Sequence, residues 1–158
     1  MRRRILAILT IIASSVLSAL LVRNVLLSSE LNGTHLLSLK IISFDLNYLI
    51  NTGVNFGIAA DGSSNRQIIL ALIAFAVCAG IISFGIKTNR LWLIAASGLF
   101  AGGGLANAFE RIAFGGVFDY INLTYPLFSN PFSFNLADIY IFVGAIMFLF
   151  SAKPSKRS

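Results

Sequence analysis

The chain has 158 residues, 57% of them apolar and only 11% charged, a balance that excludes a water-soluble domain and places the polypeptide in a bilayer. Its net charge of +6 does not mark a nucleic-acid binder, because the Lys and Arg residues stand at the ends of apolar segments and form no basic face between aromatics. The single Cys78 excludes a disulfide within the chain and a cysteine-based metal site, and reads as a small packing residue.

Residues 1–20 have the basic start, apolar middle and small residues (Ser18, Ala19) of a secretory signal. The apolar run is long and no extracellular soluble domain follows it, so it reads as a retained anchor, a first span over about residues 5–27. Residues 28–66 are too polar to cross and too long for a turn. Within them, 39–49 alternates partly and carries Ile, Phe and Tyr, which predicts short strands, while Asn51, Gly53, Asn55 and Gly57 mark turns. The expectation is a small sheet resting on the outer membrane surface, then a polar turn at 61–65. A second span at 67–86 and a third at 91–110 are joined by only 87–90, a tight hairpin that makes them antiparallel neighbours. Gly98 and Gly102 have the small-xxx-small spacing that lets helices approach closely in lipid. An outer loop, 112–131, leads to a fourth apolar stretch, 132–152, interrupted only by Asp138 near its beginning; this reads as a fourth span with an acid at its outer end.

Both termini inside would put Arg2, Arg3, Arg4, Lys87, Arg90, Lys153, Lys156 and Arg157 on the cytoplasmic side, 8 of the 12 cationic residues, as the positive-inside rule requires. All six acids, Glu30, Asp45, Asp61, Glu110, Asp119 and Asp138, then fall on or near the outer side. The expected architecture is an all-α membrane protein, a single domain over 1–158 with four transmembrane helices and a small extracytoplasmic β-rich segment.

Ionisable groups at membrane-helix ends are costly and are functional candidates by default. Asn107, Glu110 and Arg111 are spaced i, i+3 and i+4 on the outer end of the third span and can share one face. Asp119 follows in a segment where Gly115 and Gly116 permit a tight return to the surface, and Asn135 and Asp138 are i and i+3 at the outer end of the fourth. Two carboxylates in a partly desolvated site do not both ionise easily, which is the chemistry of an aspartic protease. Spacing alone leaves open catalysis, an ion path or a structural polar network. His35 has no Cys or His nearby to complete a metal site and reads as a solvated loop residue; Trp92 reads as an interfacial anchor.

Gly104-Leu105-Ala106-Asn107-Ala108-Phe109-Glu110-Arg111, then Gly116-Val117-Phe118-Asp119-Tyr120, then Phe134-Asn135-Leu136-Ala137-Asp138, with Asn51-Thr52-Gly53-Val54-Asn55-Phe56-Gly57 upstream, resemble the ordered motif set of lipoprotein signal peptidases (signal peptidase II) over 51 to about 150. The resemblance implies a catalytic pair at Asp119 and Asp138, with Asn51, Asn107, Arg111 and Asn135 on the family's other polar positions, and no metal or cofactor. It implies a membrane aspartic endopeptidase of the bacterial inner membrane, monomeric among membrane lipids, whose substrates are prolipoproteins carrying a diacylglyceryl-modified cysteine. The departures are Glu110 where the family has Asp, Asn55 where Ala is common, and Ser15 and Ala19 where the first helix usually carries an Asp and a Lys. They leave two rivals in view: a divergent paralogue that binds lipidated peptides without cutting them, and a small proton or ion pathway, which the gathering of the acids at one face opposes. Glu110 is expected to support Arg111 or the helix end, not to act as a third catalytic acid.

Overall fold

The protein is described from a computed structural model that covers residues 1–53, 64–127 and 132–151. Its elements follow in the order α1 (Arg2–Leu27), β1 (Thr34–Leu39), β2 (Ile42–Asn51), α2 (Ser64–Lys87), α3 (Leu91–Phe114), β3 (Val117–Thr124), β4 (Phe132–Phe134) and α4 (Leu136–Ser151). Three helices, α1, α2 and α3, are long and apolar enough to cross a membrane, and α4 is a shorter apolar helix of 16 residues. Asn55, Gly57 and residues 61–63 of the expected polar turn lie outside the described residues.

α3 is the central helix, and its small residues explain why. A Cβ at Gly98 would stand 2.7 Å from the Ile11 Cβ, and one at Gly102 would stand 2.6 Å from the Ser15 Cβ, both on α1. Gly104 meets the Cys78 Sγ of α2, and Gly103 faces the Ala137 carbonyl and Ile141 of α4. In lipid no hydrophobic force drives helices together, so this close approach is what holds them. Gly103→Ala is expected to lower stability by about 1–3 kcal/mol and to cut activity, because the added methyl would push α4 and its Asp138 outward. Thermal unfolding in detergent, beside a rate measurement, checks both effects.

The α2–α3 turn is as short as expected. Arg4 of α1 closes this end of the bundle, donating to the Ile86 carbonyl at 3.3 Å and to the Asn89 side chain. At the opposite end, α3 stops where Gly115 takes the left-handed conformation (φ 75°) and its N–H returns to the Arg111 carbonyl at 3.2 Å.

The sheet is larger than the sequence predicts. Its four strands run antiparallel in the order β1-β2-β3-β4, with Asp119 opposite Leu49 and Phe118 opposite Ile50. Two expectations change here. Asp119 lies not in a turn within an open outer loop but inside β3, because Val117 to Thr124 pairs with β2 along its length. The stretch 132–152 is not one helix, since Phe132, Ser133 and Phe134 pair with β3 and the helix starts at Leu136. The apolar-polar-apolar alternation of those three residues has the period of a strand. Leu46, Phe118 and Tyr120 bury one face of the sheet against Val22 and Leu26 of α1 and Leu136 of α4. Side chains alternate along a strand, so Asp119, between Phe118 and Tyr120, is turned to the other face.

Candidate active site

Four elements bring the polar residues together at the sheet end of the bundle. Asp119 is 1% exposed. Its Oδ2 accepts from the Asn51 amide at 2.9 Å, and its Oδ1 accepts from the Asn135 amide at 3.0 Å. Burial pushes the Asp119 carboxyl up to about 6; the nearby Asp138 adds to this, while the two amide donors and Arg111 oppose it.

Asp138 is held by the start of its own helix. The Asn135 Oδ1 accepts the Asp138 backbone N–H at 3.0 Å, and the Asp138 Oδ2 accepts the Asn135 backbone N–H at 3.1 Å. These reciprocal bonds between the residue before the helix and the third residue within it form a capping box. The i, i+3 spacing visible in the sequence thus serves the helix terminus as well as the site. The other oxygen, Oδ1, accepts from the Asn107 amide of α3 at 2.8 Å.

Asn135 joins the two acids. Its amide nitrogen donates to Asp119 Oδ1 and, at 3.2 Å, to Asn107 Oδ1, while its oxygen caps α4. Both amide hydrogens and the carbonyl are therefore engaged, which fixes the orientation of the group. Asn51 is held in turn by the Gly53 N–H, which donates to its Oδ1 at 2.8 Å; Gly53 has a φ of 79°.

The six residues expected at the site converge, but Arg111 bonds neither aspartate. Its Nη1 donates to Gln67 Oε1 at 3.2 Å and to the Asn51 carbonyl at 3.4 Å, and Gln67 in turn donates to the Thr52 carbonyl at 2.9 Å. Arg111 therefore holds the end of β2 that carries Asn51. Glu110 also departs from expectation: its Oε2 accepts the Phe118 N–H at 2.7 Å and lies 3.6 Å from Arg23 Nε of α1. Consecutive residues on a helix diverge by about 100°, so Glu110 and Arg111 serve different neighbours.

Sequence reasoning missed Gln67, Arg23 and Tyr120. Tyr120 is 4% exposed, and its hydroxyl oxygen accepts the Leu136 N–H at 2.8 Å, tying β3 to the start of α4. Burial pushes its hydroxyl up to about 12, so it remains neutral. The signal was present, since Tyr120 adjoins Asp119, but nothing local distinguishes such a tether from a strand aromatic. His35 is exposed in β1, where its Nδ1 lies 2.7 Å from Asp45 Oδ1. Ser15 and Ala19 are buried, the first beneath Gly102 and the second against Ala106 and Ala137, so small side chains close the helix contact on both of these positions. Among the described residues no group of three His, Cys, Asp or Glu side chains gathers as a metal site would need.

Two carboxyls held by one residue, Asp119 by the Asn135 side-chain amide and Asp138 by the Asn135 backbone N–H, can exchange acid and base roles across a reacting carbonyl. The model of the family described as signal peptidase (SPase) II matches residues 6–153. A lipoprotein signal peptidase of Pseudomonas fluorescens (strain Pf-5) is 38% identical over 110 residues, 68% of this chain and 65% of that relative, so the aligned segment spans slightly less than two thirds of its length. One from Aeromonas hydrophila is 33% identical over 116 residues, 72% of this chain and 69% of the relative. A bacterial membrane enzyme solved by the in meso method at 1.9 Å resolution superposes with a TM-score of 0.74 at 20% identity, covering 94% of each chain.

Proposed function

This chain belongs to the signal peptidase II family, and from that premise we propose that it is a membrane aspartic endopeptidase that removes signal peptides from diacylglyceryl-modified prolipoproteins. The observation that carries the reading is the bridge at Asn135, which binds Asp119 directly and shares a capping box with Asp138. In the proposed reaction Asp119 enters protonated and Asp138 as the carboxylate. Asp138 takes a proton from a water whose oxygen attacks the scissile carbonyl, and Asp119 gives its proton to the carbonyl oxygen. As the tetrahedral intermediate collapses, one of its hydroxyls returns a proton to Asp119, the C–N bond breaks, and the proton held by Asp138 goes to the leaving amine. Asn51, Asn107 and Asn135 orient the two acids, and Arg111 holds the backbone of Asn51.

The placement in the membrane follows from charge. α4 completes a four-span bundle with both termini and residues 88–90 in the cytoplasm, supported by the Lys and Arg residues at those ends. The sheet and both acids then lie at the outer face of the bacterial inner membrane, where a signal peptide held in the bilayer presents its cleavage point. The protein acts as a monomer among lipids, on the amino side of the lipidated cysteine. Retention of both acids favours cleavage over mere capture.

Purified protein incubated with a diacylglyceryl-modified preprotein is expected to release the signal peptide and to leave the unmodified preprotein intact. Binding of the lipidated preprotein without any release would favour the capture reading. The pH dependence has a defined sign. Because the folded protein holds the Asp119 proton more tightly than an unfolded chain, that proton stabilises the fold at acid pH, and its contribution is lost as pH rises through about 6. The same proton is the catalytic one, so kcat/KM is expected to fall towards a tenfold loss per pH unit above about 6. A rate that climbed through this range would reverse the assignment of acid and base.

A further inference from the structure

Glu110 and Arg23 take no part in the reaction just described, yet they converge beside it. Glu110 is 4% exposed overall, and the side chains of Arg23 and Glu110 are 11% and 6% exposed. The guanidinium of Arg23 lies 3.8 Å above the Phe114 ring and 5.9 Å from that of Phe118. At 3.6 Å its Nε is ion-paired with Glu110 but beyond hydrogen-bond reach, and it has no hydrogen-bond partner. The same Glu110 oxygen accepts the Phe118 N–H at 2.7 Å. β4 pairs with β3 only from Ile121 to Leu123, so the first residues of β3 have no strand on that side, and Glu110 supplies the acceptor that a strand would have given.

We propose that Arg23 and Glu110 are a positioning pair for Asp119: Glu110 fixes the backbone one residue before it, and Arg23 cancels a third carboxylate that would otherwise raise the negative potential at the acid pair. The burial of Glu110 requires a cation, and Arg23 provides it from α1. It stands four residues, about one helical turn, after Ala19 on α1. Around the pair, Arg111 of α3 and Asp138 of α4 are the other charges acting on Glu110, and the same two act on Asp119, whose direct donors are Asn51 and Asn135.

The inference rests on the proposed peptidase reading, and its test separates the two. Cleavage of lipidated preprotein by the parent is the control for that reading. Titration of the Asp119 carboxyl by difference infrared spectroscopy, with its band assigned by its loss in Asp119→Asn, reports on the pair without any cleavage. Arg23→Gln leaves Glu110 uncompensated and is expected to raise the Asp119 titration and the basic limb of kcat/KM by about half a pH unit or more. Glu110→Gln leaves Arg23 unpaired and is expected to lower both by a similar amount. Each should reduce kcat roughly tenfold with KM within about twofold of the parent, as misplacement of a reacting group does. Arg23→Lys, and the double substitution Arg23→Gln with Glu110→Gln, leave no unpaired charge and should return the titration to the parent position. Those two variants also carry the test if either single Gln variant fails to fold. Single variants that shift the titration in the same direction, or not at all, would overturn the proposal, as would a shifted titration in Arg23→Lys or in the double variant.

Discussion

Asp119→Asn and Asp138→Asn are each expected to lower kcat by at least about a thousandfold while leaving a folded protein that binds lipidated substrate. The loss follows from the chemistry, since neither the proton donated by Asp119 nor the base supplied by Asp138 survives in an amide. The environment of each acid adds a cost that the sequence did not reveal. Both oxygens of Asp119 accept N–H groups, from Asn51 and Asn135, so Asn at 119 must present its own NH2 to one of these donors. Asp138 has the same constraint between Asn107 and the Asn135 backbone. Each substitution therefore forfeits one hydrogen bond, worth about 1 kcal/mol, partly offset at position 119 by removal of a carboxyl that burial disfavours in its charged form. The double substitution should be scarcely slower than either single one, because a pair that exchanges one proton fails as a unit. Single-turnover rates on lipidated preprotein, measured beside binding of the same preprotein, check this. Parent-like cleavage by either single variant would exclude the pair.

Five of the six expected site residues stand out in the sequence because ionisable and amide groups in apolar surroundings are disfavoured by the composition, whereas Asn51 reads there only as part of a turn and enters through the resemblance. Their partners were only partly legible. Spacing placed Asn107, Glu110 and Arg111 on one face, yet Asn107 meets Asp138, Arg111 meets Gln67 and the Asn51 backbone, and Glu110 meets Arg23 and Phe118. Helical periodicity limits which residues can be neighbours; it does not identify what stands opposite. The sheet was foreseen only for residues 39–49, because β3 and β4 find their partners far away in the chain, Asp119 opposite Leu49 and Ile121 opposite Phe134. The alternation of Phe132–Phe134 has a strand's period, but over three residues it is too short to be told from the start of the apolar run that follows. The capping box was present in the spacing of Asn135 and Asp138, but a residue that both caps a helix and belongs to a candidate site shows only its second role until the backbone is placed.

That double role makes Asn135 the most informative amide to change. Asn135→Ala removes the donor to Asp119, the donor to Asn107 and the acceptor that caps the Asp138 N–H. Loss of the cap and of the buried bonds is expected to cost about 1–3 kcal/mol in stability. A larger effect is expected on rate, roughly a hundredfold in kcat, because the Asp119 carboxyl loses a donor and Asp138 loses the cap on its backbone N–H, so the two acids are no longer fixed relative to each other. Asn135→Asp distinguishes the two roles. Its carboxylate can still cap α4, so the helix terminus should survive, but an oxygen would replace the amide that donates to Asp119, bringing a third acid against the pair. For Asn135→Asp at neutral pH the cap is therefore expected to persist while the lost donors and the buried third acid still lower stability, with a rate at least as low as that of Asn135→Ala. The pH dependence carries the sign of the missing bond: the Asn135 donor holds Asp119 down against its burial, so without it the proton of Asp119 binds more tightly and the fall in kcat/KM moves above about 6. Unfolding in detergent and kcat/KM profiles for the two variants separate these effects. A parent-like rate and an unmoved pH profile in Asn135→Asp, with the loss confined to Asn135→Ala, would restrict Asn135 to the helix cap and remove it from the active site.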